Sequence, residues 1–191
     1  MKPAAFLDRD GTILDELGYV TPDSIINVYP WSIDAVRLLK RAGYAVVMIT
    51  NQGGIGLGLY DHNFVKKTHE DLTKQFASAG ADIDAWYYCP HHPEAVVDEY
   101  RCVCECRKPG IGMVRDAARD LDLDLKRSWV VGDQWRDVEL ANAAGCRSVL
   151  LRTGHGAVQE AAWPGHVTPA TMVCDNLMAA VSAILERDES R

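Results

Sequence analysis

Short apolar runs rich in β-branched or aromatic side chains recur along the chain at 4–7, 44–50, 85–88, 128–131 and 147–151, with a weaker one at 171–174. Continuous apolar runs of this length, without polar alternation, predict strands buried on both faces. Between them, apolar positions recur at helical spacing over 32–42, 61–79, 111–121, 135–144 and 176–187. Strands alternating with helices predict an α/β fold, a Rossmann-like three-layer sandwich with a mainly parallel sheet. Ser32, Asp61 and Asp175 stand where helix caps are needed, and Gly43 and Gly145 where helices stop. One stretch, 89–107, breaks the alternation. No repeat, low-complexity tract or linker divides the chain, so residues 1–191 are expected to form a single domain without a large cap domain.

Composition narrows the function classes. The 191 residues are 48% hydrophobic and 25% charged, with 27 acidic against 20 basic residues and a net charge of -7. That balance suits one well-packed core, and it excludes a general nucleic-acid or membrane-surface binder, which needs a basic excess. No apolar run approaches the ~20 residues that cross a bilayer. The start of the chain reaches Asp8 too soon for a signal peptide's apolar region. A cytoplasmic monomer is the expectation, since no amphipathic surface stripe compels association. Four of the six cysteines crowd between 89 and 106 beside His91 and His92, which in a reducing compartment points to metal binding over disulfides.

The chemistry-bearing strings fall at strand ends. Asp8 and Asp10, in Asp8-Arg9-Asp10-Gly11-Thr12, close the first strand, at the edge where parallel sheets bind ligands. Two neighbouring carboxylates repel unless a cation neutralises them, and an oxygen-rich cluster suits Mg²⁺. The second strand ends in Thr50-Asn51-Gln52-Gly53, with a hydroxyl able to hold a phosphoryl oxygen. Arg107-Lys108-Pro109 offers two cations just before a helix, and Gly132-Asp133 followed by Asp137 adds acids at the fourth strand end. Taken singly each string reads as a turn, a cap or a solvated pair; together and in this order they point to phosphoryl chemistry.

With these four motifs the chain resembles the haloacid dehalogenase superfamily of phosphatases over residues 4–152. The resemblance implies that Asp8 is the nucleophile and Asp10 the general acid, that Asp8, the carbonyl of Asp10 and Asp133 hold magnesium, and that Thr50 and Lys108 steady the phosphoryl group.

The segment 89–107 offers six ligands, Cys89, His91, His92, Cys102, Cys104 and Cys106, where a tetrahedral zinc needs four. Alternate residues on an extended segment point the same way, so a Cys-x-His pair closed by a Cys-x-Cys pair selects Cys89, His91, Cys104 and Cys106. Four protein ligands leave no open position, so this zinc is expected to be structural. Read with Gly18-Tyr19-Val20, Tyr87-Tyr88-Cys89-Pro90-His91-His92-Pro93 and Cys106-Arg107-Lys108-Pro109, the chain is similar to a zinc-loop branch of that superfamily acting on sugar phosphates. The closer resemblance implies that Arg107 contacts a phosphate that stays on the sugar, while Glu16, Leu17, Gly18, Tyr19, Asn51, Gln52 and Gly53 line the substrate site. Gly53 and Gln134 depart from that branch, where serine and lysine are common; Gln134 replaces a charge by a neutral amide at the substrate. A related branch acting on histidinol phosphate is the alternative, and a binding module with idle acids a more distant one. The five tryptophans are expected in core or edge packing, Cys146 and Cys174 as buried thiols, His155 on loop surface, and Glu186 to Arg191 to fray.

Overall fold

The computed structural model describes residues 1–20 and 24–189. Six parallel strands form one sheet in the order β3-β2-β1-β4-β5-β6: β1 (Ala4–Leu7), β2 (Ala45–Asn51), β3 (Ala85–Cys89), β4 (Trp129–Gly132), β5 (Arg147–Leu151) and β6 (Met172–Cys174). Each apolar run predicted as a strand is one. The central strands are buried throughout because both faces are covered, with alternate residues serving opposite layers. Ala5 and Leu7 of β1 pack with α1 (Ser32–Arg41), α2 (His62–Ser78) and α6 (Leu177–Glu189). Ala4 and Phe6 pack with α3 (Gly112–Leu121) and α4 (Trp135–Ala144) on the other side. These are the three layers that the alternation predicts. Among the described residues no helix is long and apolar enough to cross a membrane.

The helix α5 (Gly156–Ala161) is absent from the sequence reading; six residues are too short to show a period. Asp61 caps α2, accepting from the Phe64 N–H at 2.8 Å, and Gly145 ends α4 at φ 74°. Two expected caps differ. The Ser32 hydroxyl donates to the Ile13 carbonyl at 3.0 Å, tying α1 to the loop after β1. Asp175 pairs with Arg152 at 2.6 Å, and the neighbouring Asn176 accepts from the Ala179 N–H instead. The expected frayed tail is helical through Glu189: Arg147 holds Asp188 at 2.6 Å, anchoring the last turn. Residues 190–191 lie outside the described residues.

The order of strands decides where a ligand can sit. The chain moves outward from β1 to β2 and β3, then returns to β4 on the opposite side of β1. The crossovers therefore diverge between β1 and β4, leaving a crevice at their carboxyl ends. Asp8 follows β1 directly and Asp133 follows β4 directly.

Candidate active site and metal-binding loop

Neighbouring strand tips bring three buried acids together. One carboxylate oxygen of each of Asp8, Asp133 and Asp137 lies within 4.8 Å of the others. Lys108, which is buried, reaches in from the loop before α3, with Nζ 2.9 Å from Asp8 Oδ1, 2.7 Å from Asp137 Oδ1 and 3.2 Å from the Ile49 carbonyl. Burial works against its charge, yet Asp137 and then Asp8 outweigh that and hold the ammonium above its ordinary pKa. Asn51 sets the Lys108 backbone from both sides: its Oδ1 accepts from the Lys108 N–H at 3.0 Å and its Nδ2 donates to the Lys108 carbonyl at 3.2 Å.

Two oxygens in this cluster are left for a ligand. Asp8 Oδ1 is engaged by Lys108 and by the Arg9 N–H at 2.7 Å, so Oδ2 is the oxygen that can act. Asp133 Oδ2 accepts from the His155 N–H at 2.8 Å, whereas its Oδ1 is buried with no hydrogen-bond partner among the described residues. Burial first, then the charges of Asp8 and Asp137, push the Asp133 carboxyl far above the usual range. A buried carboxylate oxygen without a donor is costly unless a cation meets it. Four carboxylates, with Asp10 included, face two buried cations, Arg9 and Lys108, and one divalent ion balances the remainder. The donor set is all oxygen and fits Mg²⁺. Backbone shape makes the room: Gly11 has φ 74°, and a Cβ there would lie 2.3 Å from Asp133 Oδ2.

Thr50, also buried, accepts from Gln52 Nε2 at 2.9 Å, which leaves the hydroxyl proton free to donate into the pocket. The pocket above the cluster encloses about 250 Å³. Asp8, Asp10, Thr50 and Lys108 form its floor, and Glu16, Gly18, Tyr19, Asn51, Gly53, Arg107 and Gln134 line its walls. Two residues expected at the substrate lie elsewhere. Leu17 turns outward and is not on the wall, and Gln52 is buried beneath it, its amide committed to Thr50, to Asp10 at 3.2 Å and to the Tyr60 hydroxyl at 2.9 Å. Two unanticipated residues join the wall, Arg136 and His155. His155 is exposed, as expected, but its ring sits 3.8 Å from Glu16 at the pocket mouth. Arg136 is the second residue of α4, three positions beyond Asp133, and only a helical projection of α4 could have flagged it. Its charge and that of Arg107 both bear on His92, whose pKa falls through burial first and then those two cations. A Cβ at Gly53 would lie 3.0 Å from His92 and 3.2 Å from Arg107 Nη1, so the departure at 53 keeps this cationic wall in place.

The loop after β3 gathers the other ligand set. Cys89 Sγ, His91 Nδ1, Cys104 Sγ and Cys106 Sγ lie within 4.8 Å of one another. Five of the six separations run from 3.1 Å for Cys89–Cys106 to 3.6 Å for Cys89–Cys104, slightly tighter than the ~3.8 Å edge of a tetrahedron with 2.3 Å zinc–sulfur bonds. Three thiols and one imidazole at this spacing fit zinc. Cys102 is exposed and, like His92, stands outside the group. The loop also reaches the pocket, because Arg107 Nη1 donates to the His91 carbonyl at 2.8 Å. Of the tryptophans, Trp129 is wholly buried, Trp135 donates to the Gln159 carbonyl at 2.6 Å away from the pocket, and Trp163 is half exposed. Cys146 is buried, which pushes its thiol up to about 12, while Cys174 is only half-buried.

Comparison with known proteins gives a consistent result. A family model described as HAD-hydrolase-like matches residues 105–180. The chain is 42% identical over 160 residues to the D-glycero-beta-D-manno-heptose-1,7-bisphosphate 7-phosphatase of Photorhabdus laumondii, covering 83% of this chain and 85% of that protein. It is equally similar to the enzyme of the same name from Escherichia coli K12, covering 83% and 84%. The crystal structure of the D,D-heptose 1,7-bisphosphate phosphatase of B. bronchiseptica, complexed with magnesium and phosphate, superposes with a TM-score of 0.84 at 35% identity, over 98% of this chain and 99% of that one.

Proposed function

Because the chain belongs to the D-glycero-D-manno-heptose-1,7-bisphosphate 7-phosphatase family, within the haloacid dehalogenase superfamily, we propose that it removes the 7-phosphate of that sugar bisphosphate through a phosphoaspartate on Asp8. The observation that carries the reading is the meeting of Asp8 and Asp133 at adjoining strand tips, with Lys108 paired to Asp8 on the floor of a pocket walled by Arg107 and Arg136.

Asp8 Oδ2 attacks the 7-phosphorus in line with the bond to the sugar oxygen. Asp10 gives its proton to that oxygen as the bond breaks, and then takes a proton from the water that attacks phosphorus, freeing phosphate and restoring Asp8. Splitting hydrolysis in this way replaces one difficult displacement by two easier ones. Thr50 donates its hydroxyl proton to a phosphoryl oxygen, and Lys108 offsets the charge gathered there. Magnesium, held by Asp8, Asp133 and the Asp10 carbonyl, supplies further charge neutralisation when bound. Asp137 is assigned to holding Lys108, since both of its oxygens are engaged, one by Lys108 and one by the Gln134 N–H at 3.2 Å. The zinc loop braces Arg107 and leaves the mouth open in place of a cap.

Arg107 and Arg136 meet the phosphate that stays on the sugar. With Gln134 neutral, Arg136 restores a cation on the same helix turn. Arg136→Ala is therefore expected to raise KM for the bisphosphate about tenfold, the equivalent of ~1.4 kcal/mol, with kcat within about twofold. Steady-state kinetics beside the 7-monophosphate, whose KM should not move, checks this. These cations also disfavour histidinol phosphate, whose ammonium they repel. Turnover of both purified substrates tests the assignment, and faster hydrolysis of histidinol phosphate overturns it. The β anomer, named in the relatives, is the expected form. The protein would act as a cytoplasmic single-domain monomer supplying heptose 1-phosphate for nucleotide activation and lipopolysaccharide, and three metal-binding cysteines suit that reducing setting.

A further inference from the structure

Arg9 stands between the two acids of the first motif, yet none of the chemistry above uses it. It is 1% exposed, among the largest fully buried side chains of the protein. Its guanidinium lies along Asp10, with Nε 3.1 Å from both carboxylate oxygens and Nη2 3.0 Å from Oδ1. The remaining arm, Nη1, points away from the pocket to His69 Nε2 at 3.4 Å. A guanidinium only donates, so His69 must present a lone pair at Nε2 and carry its proton on Nδ1. Burial, and then the Arg9 charge, lower the His69 pKa to about 3, so the ring stays neutral and keeps that lone pair.

The ring is itself held. It stacks on Trp86 of β3 with centroids 4.1 Å apart and planes 15° from parallel, and Tyr88 meets it edge-on at 5.8 Å. Trp86 is fixed in turn by its indole N–H donating to the Thr73 hydroxyl at 2.9 Å. A rigid element of α2 and β3 thus reaches Asp10 through one buried guanidinium. Without the acceptor at His69, Nη1 would be a buried donor lacking a partner, which costs enough to turn the guanidinium elsewhere.

We propose that His69 is a positioning residue for proton transfer to the leaving group: by holding Arg9 Nη1, it fixes the edge of Arg9 that orients the Asp10 carboxylate in the pocket. The inference rests on Asp10 being the general acid. Positioned acids contribute about 10²- to 10⁴-fold, and a misplaced one forfeits part of that.

The test compares two leaving groups in the magnesium- and zinc-loaded enzyme. An alkyl phosphate, heptose 1,7-bisphosphate, needs its leaving oxygen protonated; p-nitrophenyl phosphate does not. Single-turnover release of sugar monophosphate and of nitrophenolate is measured for wild type, His69→Phe, His69→Leu, His69→Gln and Asp10→Asn. His69→Phe keeps a ring on Trp86 but removes the acceptor, and is expected to slow the alkyl ester about tenfold with aryl cleavage within about twofold of wild type. His69→Gln, which returns an acceptor at that reach, should restore most of the loss. The alkyl-to-aryl ratio is taken on one preparation, so an unfolded fraction cancels. If the ratio stays at the wild-type value in both His69→Phe and His69→Leu while Asp10→Asn shifts it, the role given to His69 is wrong. If Asp10→Asn also leaves the ratio unchanged, the assignment of Asp10 as general acid fails with it.

Discussion

Asp8→Asn is expected to cut phosphate release by on the order of 10⁴-fold or more, the scale on which single nucleophile or base knock-outs act in other hydrolases, while the fold and the zinc content stay intact. An amide oxygen is a poor nucleophile toward phosphorus, and none of the nearby carboxylates can take its place. Asp10 is held by Arg9, Asp137 by Lys108, and Asp133 by the His155 N–H. Stability should change little, because the substitution removes an ion pair with Lys108 but also relieves repulsion from Asp133 and Asp137. Phosphate release under saturating substrate, together with a thermal melt and metal analysis, checks all three statements. Residual activity within about a hundredfold of wild type would exclude Asp8 as the nucleophile.

The second large effect is expected from the metal loop. Cys106→Ser should reduce bound zinc from one ion per chain to near none, because Cys106 Sγ lies closest to the rest of the group, 3.1 Å from Cys89, 3.3 Å from His91 and 3.4 Å from Cys104. Structural zinc contributes ~10 kcal/mol or more of apparent free energy in small peptides, and an ion held by this group would order a loop with little apolar burial of its own. Hydrogen exchange over 90–105 should rise sharply, whereas the strands β1, β2 and β4, buried between helices, keep their protection. Arg107, the next residue, would lose its hold on the His91 carbonyl, so KM for the bisphosphate should rise tenfold or more, again ~1.4 kcal/mol per decade. Cys102→Ser, altering an exposed cysteine outside the group, is the control and should change neither zinc content nor KM. A zinc-free Cys106→Ser protein with wild-type KM would separate the loop from substrate binding.

Much of this architecture is legible before any coordinates. Runs such as Ala45 to Ile49 have no polar position to turn toward water, so they can only be strands covered on both sides, and strands of that kind joined by helices must lie parallel. The acids at 8, 10 and 133 and the cation at 108 are legible for a related reason: each stands within a few residues of a strand's end or a helix's start, where the sheet's edge puts side chains into a crevice. The cysteine spacing is local too, since alternate residues of an extended segment share a face.

What the linear pattern leaves open depends on contacts between distant segments. Gln52 was expected against the substrate, but a packed neighbour, Tyr60, and the acid Asp10 claim its amide from below. Arg136 enters the pocket because α4 turns that position toward Arg107 and His92, a direction that follows from how α4 sits on β4 and β5. The link from Trp86 through His69 and Arg9 to Asp10 joins β3, α2 and β1, and no spacing along the chain encodes it. The order of apolar and polar residues thus specified the layers, the parallel strands and the chemical groups at their tips, because those follow from burial and periodicity within short stretches. Which group faces the substrate, which one supports another from behind, and which oxygen is left for a cation were settled by packing across the sheet, where side chains far apart in sequence compete for the same hydrogen bonds.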